Sequence, residues 1–211
     1  MKEPQPYTFS RIAGALCLDF VNTASWVADQ RSTEHLNDFG DLVRWCTESA
    51  IVPHGSATVF CGEAEQGATI LAEAKETRET LYRIFIALSR DQAPAGEDLQ
   101  PLNETLARAP LRFEVHRQEK GFACERKAGA TEFAMLLGPV VWSAAELLTS
   151  GQCQQVKCCA SDSCGWLFLD NTKNHSRRWC DMGDCGSRAK SKRYYRKKLS
   201  VSVPVEEERV S

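Results

Sequence analysis

The residues best suited to chemistry are four cysteines in two matching pairs, Cys159-x4-Cys164 and Cys180-x4-Cys185, late in a chain of 211 residues. Four thiolates supplied as two short pairs are the donor set of a closed, tetrahedral structural zinc site, each sulfur about 2.3 Å from the metal. Each pair brackets a tight turn, so both of its sulfurs can converge on one ion. Ten cysteines could also form a disulfide framework, or serve as small buried hydrophobes. Disulfide scaffolds belong to short secreted chains, and here Met1 to Pro6 leads into no apolar signal core. Cys17, Cys46, Cys61 and Cys124 are scattered, mostly among apolar neighbours, and read as core. Cys153 and Cys158 are spare, and Cys158 competes with Cys159 as a ligand, but Cys159 keeps both pairs at the same spacing. The expectation is one structural Zn2+ held by Cys159, Cys164, Cys180 and Cys185.

The charge distribution points the same stretch at a partner. Formal net charge is −2. Residues 173–198 hold ten basic side chains against Asp181 and Asp184, or +8, which leaves −10 on the rest. A zinc with four thiolates carries −2 and uses part of this surplus. About +6 remains, and a solvated helix would mix its signs. The tail therefore expects an anionic partner. The basic run Arg188 to Lys198 has helix-forming composition. It sets Arg188, Lys192 and Arg196 along one face and Lys190, Arg193 and Lys197 along another, with Arg177 and Arg178 widening the surface beside Trp179. Cations so spaced can neutralise phosphates in or across a groove. Arg188, nearest the zinc, can pair with guanine or phosphate, or instead brace the finger through Asp170 or Asp181. Tyr194 and Tyr195 can stack on bases or pack against protein.

The elements that must carry these residues read as an α+β chain. A mostly apolar run, Ala13 to Thr23, has helical spacing and is interrupted by Asp19 and Asn22. These polar groups either tie down a neighbouring segment or, with Trp26 and Trp45, form the floor of a small-ligand pocket. Residues 24–37 read as a loop. Asn37 or Asp38 caps a helix carrying Leu42, Val43 and Cys46, and Pro53 and Gly55 break the chain after it. A long helix over 63–90 and a shorter one ending near Arg108 follow. Period-two alternation in Leu111–Arg117 and Gly121–Arg126 predicts a β-hairpin. Helical spacing returns from Phe133 to Leu148, where Gly138-Pro139 should kink the helix or start another. The predicted organisation is a mostly helical domain with a β-hairpin over 1–150, a small treble-clef-like zinc module ending in a basic helix over 151–200, and a disordered tail over 201–211.

Arg177-Arg-Trp-Cys-Asp-Met-Gly-Asp-Cys-Gly-Ser-Arg-Ala-Lys190 resembles the signature of the CGNR zinc finger, Arg-Arg-Trp-Cys, four residues, then Cys-Gly-Asn-Arg-Ala-Lys. The preceding Cys159-x4-Cys164 with Trp166-Leu-Phe-Leu-Asp170 is similar to that family too. Leu16-Cys-Leu-Asp-Phe-Val-Asn-Thr23 resembles the ABATE domain that accompanies this finger, and Ala145 to Ser150 looks like its usual ending. The chain departs from the pattern at Ser187, where the motif has asparagine, and at Cys158, where a basic residue is usual. The resemblance implies a bacterial stress-related transcription regulator that binds DNA through the finger.

The residues and the resemblance together yield the expected function: a DNA-binding regulator whose N-terminal domain senses a small ligand or a partner. RNA binding and a zinc-stabilised protein-interaction module are the alternatives, since cations alone do not separate DNA from RNA. A lone finger has a small footprint, which favours a homodimer or a multi-contact binder. Catalysis is not expected. His35, His54, His116 and His175 form no legible nucleophile–base pair, and four cysteines leave zinc no open position. With no signal core and no apolar run near the roughly 20 residues of a membrane span, the expected location is the cytoplasm.

Overall fold

Apolar side chains at three-and-four spacing make helices of most of the chain, and short hairpins fill the intervals. A computed structural model describes residues 7–52, 64–110, 113–126 and 131–201. The readings of Pro53, Gly55, His54, Cys61 and the 202–211 tail lie outside these, as do the side chains of His116, Cys124 and Lys197. The elements are α1 (Leu16–Val21), β1 (Ala24–Val27), β2 (Gln30–Glu34), α2 (Phe39–Glu48), α3 (Ala64–Leu88), α4 (Gly96–Arg108), β3 (Phe113–Gln118), β4 (Gly121–Arg126), α5 (Glu132–Thr149), β5 (Val156–Cys158), β6 (Leu167–Leu169) and α6 (Ser187–Val201). The strands form three separate antiparallel pairs, β1–β2, β3–β4 and β5–β6.

Asp38 caps α2 by accepting a hydrogen bond from the Asp41 N–H. The Thr131 hydroxyl does the same for α5 through Ala134 N–H. α5 runs as one helix through Gly138-Pro139, with no second helix starting there. Proline forfeits one intrahelical donor, while Phe133, Leu136, Leu137, Val140, Val141, Ala144 and Leu147 all enter the core around it. Each of the larger of these side chains contributes about 1.5–3 kcal/mol by leaving water, enough to hold the helix through the break. α5 is also long and apolar enough for a membrane span by composition, but half of it is buried as a core helix.

The segment expected to be a loop, 24–37, instead contains the β1–β2 hairpin. β2 is exposed at four of five positions, so no alternation marks it in the sequence. The turn residues Ala28 and Asp29 sit at φ 49° and 64°, the left-handed pair that a tight hairpin needs, without glycine to signal it. Tertiary contacts fix the hairpin. Trp26 stacks on Tyr82 of α3 at 3.7 Å, Asp29 pairs with Arg90, and Glu34 pairs with the fully buried Arg78, which also donates to the Thr23 hydroxyl.

The C-terminal module is not a bead on a string. Leu167, Phe168 and Leu169 of β6 are buried in the same core as α1. Backbone and side chain bind the two parts together. The Leu169 N–H donates to Ala13 O (2.7 Å) and the Gly165 N–H to Trp26 O (2.8 Å), while Trp166 Nε1 donates to Ala24 O (3.0 Å). Asn22 of the apolar motif lends its whole amide to one residue: Nδ2 donates to Leu167 O at 2.9 Å, and Oδ1 accepts from Leu167 N–H at 3.1 Å. Asn22→Ala orphans both groups in a buried setting and should cost on the order of 2–4 kcal/mol in denaturant unfolding of the zinc-loaded chain. Gly165→Ala should act in the same direction, because its new Cβ would lie 2.9 Å from Trp26 Cβ.

Candidate metal centre and nucleic-acid interface

β5 and β6 are too short to stand alone, and the cysteines sit where they can be fastened. Cys159 and Cys164 lie in the loop joining the two strands, while Cys180 and Cys185 flank the entry to the last helix, Cys185 within a π-helical turn, Met182–Gly186, that leads into α6. Asp181 caps that turn by accepting from the Gly183 and Asp184 N–H groups. The four sulfurs all lie within 4.8 Å of one another. Cys164 and Cys180 are 3.8 Å apart, and Cys180 and Cys185 are 3.7 Å apart. A tetrahedron with arms of about 2.3 Å has edges of about 3.8 Å, so the donor set fits one zinc ion. Its order, a knuckle in a hairpin and then a pair at a helix start, is treble-clef-like.

Electrostatics agree with the geometry. Without a cation the thiols share protons. Hydrogen bonds from Cys164 and Cys180 hold Cys159 low, and their bonds to Cys159 push Cys180 up and Cys164 up to about 12. Four thiolates at this spacing need a divalent ion, and zinc supplies a cross-link here, with no open position for chemistry. Arg188 donates to Cys185 Sγ at 3.1 Å and to Asp184 at 3.0 Å, offsetting the centre's negative charge. The bracing partners expected for Arg188, Asp170 and Asp181, are engaged elsewhere.

Asp170 orders the loop between the pairs. Fully buried, it accepts from Lys157, from the Thr172 hydroxyl and N–H, and from the Arg177 N–H. Burial opposes its charge, but these donors prevail and hold its carboxyl well below the usual range. Arg177 follows it inward rather than onto the basic surface. Its guanidinium lies over the Phe168 ring at 4.3 Å and donates to the carbonyls of Trp179, Cys180 and Ile12.

The remaining cations are on the outside. Arg178, Lys190, Lys192, Arg193 and Arg196 are exposed. Lys192 pairs with Asp162. Lys190 and Arg193 make no hydrogen bond or ion pair with any described residue, and Arg196, on the Lys192 face, adds to the positive field at Asp162. Tyr194 and Tyr195 are exposed beside them at 65% and 63%, in edge contact with each other. The helix thus has one stripe pinned by acids and another open to a partner.

The four residues considered for a pocket in the N-terminal domain do not surround one cavity. Asn22 is committed to Leu167, and Asp19 accepts from the Ala13 N–H at 2.9 Å. Trp45 is wholly buried against Phe20, 5.0 Å between ring centres. Trp26 borders a cleft of about 360 Å³ between the N-terminal part and the zinc module that none of the other three lines. The sequence offered no signal for this cleft, because its walls come from segments 7–26 and 163–188.

Chelation or Cys180→Ser should lower the melting temperature of the helical signal of the whole chain, because β6 belongs to the common core; an unchanged melt after measured zinc loss would refute this. A second expectation concerns Asp19, which burial raises from 3.8 to about 6 despite the Ala13 hydrogen bond and Arg11. Its folded value exceeds its unfolded one, so its contribution is fully present below about pH 4 and is lost as pH rises through 6. Asp19→Asn, which keeps an acceptor for Ala13, should therefore flatten stability between pH 4 and 6 and stabilise the chain at pH 7.5 by about 1–3 kcal/mol.

Comparison with protein families agrees with this architecture. The model for ABATE, described as "Putative stress-induced transcription regulator", matches residues 14–151. The model for the CGNR zinc finger matches residues 155–198, which contain all four clustered cysteines. No curated protein matches the chain. With that family model covering more than half of its length, the chain belongs to the ABATE family and carries a CGNR zinc finger that holds one structural zinc ion.

Proposed function

We propose that this protein is a cytoplasmic transcription regulator that binds DNA through the finger, while its N-terminal domain senses a small ligand or a partner. The observation that supports the reading best is the open stripe of α6. Lys190 and Arg193 are exposed and unpaired among the described residues, on a helix whose first turn is bound to the zinc cluster through Cys185 and Arg188. A rigidly mounted helix with free cations suits a groove of duplex nucleic acid, where phosphates fix the register and a few side chains read bases. Arg178, exposed over Trp179, extends the surface. Arg188, held between Asp184 and Cys185, acts as a brace at the base of the helix rather than as a free reader. The protein is not a catalyst in this reading, since the thiolates close the metal's coordination.

Binding of the zinc-loaded chain to duplex DNA and to structured RNA across a salt series tests the proposal. Duplex DNA should be preferred. Lys190→Ala/Arg193→Ala should weaken binding at least tenfold and lower the salt slope by about 2, one per lost phosphate contact. Preference for structured RNA would reassign the polymer, and no binding to either at low salt would leave α6 as a docking surface for acidic protein.

A further inference from the structure

The cleft between the two parts carries a more specific inference, one that rests on the ligand-sensing half of the proposed function. At about 360 Å³ it falls within the range of small-molecule sites. Its apolar walls are Tyr7 and Ile12 from the N-terminal segment, Trp26 from β1 and Trp166 from the zinc module. Its polar lining is one-sided in charge. Cys164, Cys180 and Cys185 border it, and zinc with its four thiolates carries a formal −2. Asp181 and Asp184 add two further negative charges, and Arg188 returns one positive charge, which leaves a formal −3 on the wall. Arg188 is already committed to Asp184 and Cys185. Asp181 caps the helical turn with Oδ1, while its Oδ2 accepts from no described residue.

We propose that this cleft binds a small organic cation, an amine with an apolar or aromatic body, between the aromatic walls and the Asp181–Asp184 edge. The chemistry is complementary at each end. Tyr82 covers one face of Trp26 and His35 one face of Tyr7, so the cleft is lined by what these rings and Trp166 leave open, and such aromatic surface attracts a cation by about 0.5–2 kcal/mol depending on desolvation. The acidic edge and the anionic metal centre supply a field that repels carboxylates and phosphates. The basic stripe of α6 faces the opposite task, so the module presents anion-binding and cation-binding surfaces at separate places. An ammonium at Asp184 competes with the Arg188 guanidinium, and Arg188 stands on the first turn of α6. Occupancy of the cleft is thereby linked to the mounting of the basic helix.

The test is titration of the full-length zinc-loaded chain, free of nucleic acid, with phenethylamine, spermidine and, as the anionic control, phenylacetate. Heat of binding and tryptophan fluorescence are both read, since Trp26 and Trp166 line the cleft. Saturable binding of either amine is expected, at least tenfold weaker in Asp181→Asn/Asp184→Asn and absent for phenylacetate. Asn keeps the Oδ1 cap at position 181, so zinc content of that variant should match the parent, and its melting temperature should fall only by the few degrees that loss of the exposed Asp184–Arg188 pair allows, which separates a lost site from a lost fold. No saturable amine binding, equal binding by the variant, or preference for phenylacetate would each overturn the proposal. Because nucleic acid is absent, failure here leaves DNA binding by α6 untouched, and failure of DNA binding leaves the amine result standing.

Discussion

A module of this size cannot exclude water from enough apolar surface to fold by itself, and the structure meets that constraint twice. Zinc cross-links the loop of β5–β6 to the entry of α6, replacing the core that the module lacks. The N-terminal part then covers the remaining apolar face, so that Leu167, Phe168 and Leu169 are interior residues of the whole molecule. The contacts between Asn22 and Leu167, Ala13 and Leu169, and Trp26 and Gly165 follow from this need. Backbone groups of a strand buried against another element must find partners there.

The same constraint explains how polar groups are spent. Asp170 and Arg177 look like members of an acidic and a basic surface, yet both turn inward. Asp170 satisfies four donor contacts of the loop that returns the chain to Cys180, two from Thr172, one from the Arg177 N–H and one from the His175 ring to its carbonyl, and a fifth from Lys157 of β5. Arg177 shields Phe168 and closes three carbonyls. The cations left outside are Arg178 and those along α6. Division of the chain into an acidic front and a basic tail is therefore partly structural and partly available to a partner.

Much of this was legible from residue order. Period-3.6 spacing located α2 to α5 because each buries one continuous stripe, and period-two alternation located β3–β4. Equal spacing of the cysteine pairs identified the metal ligands, since a tetrahedral ion demands four donors on short tethers. The β1–β2 hairpin was not legible. Its second strand faces water, and its turn places Ala28 and Asp29 where glycine or asparagine would normally advertise a left-handed pair. The roles of Asp19 and Asn22 were left open by the sequence for a similar reason: a polar residue in an apolar run announces that it needs a partner, but not which one.

By itself the sequence determined the helical character of the front, the zinc ligands and the concentration of positive charge beyond them, because each of these depends on local spacing or composition. Tertiary structure decided which of the cations remain free, that Asn22 serves the strand Leu167–Leu169, and that a cleft opens beside the metal centre. The last two depend on segments more than a hundred residues apart meeting in one core, the first on Asp162 reaching Lys192 across the zinc module, and no local pattern encodes which distant group a side chain will reach.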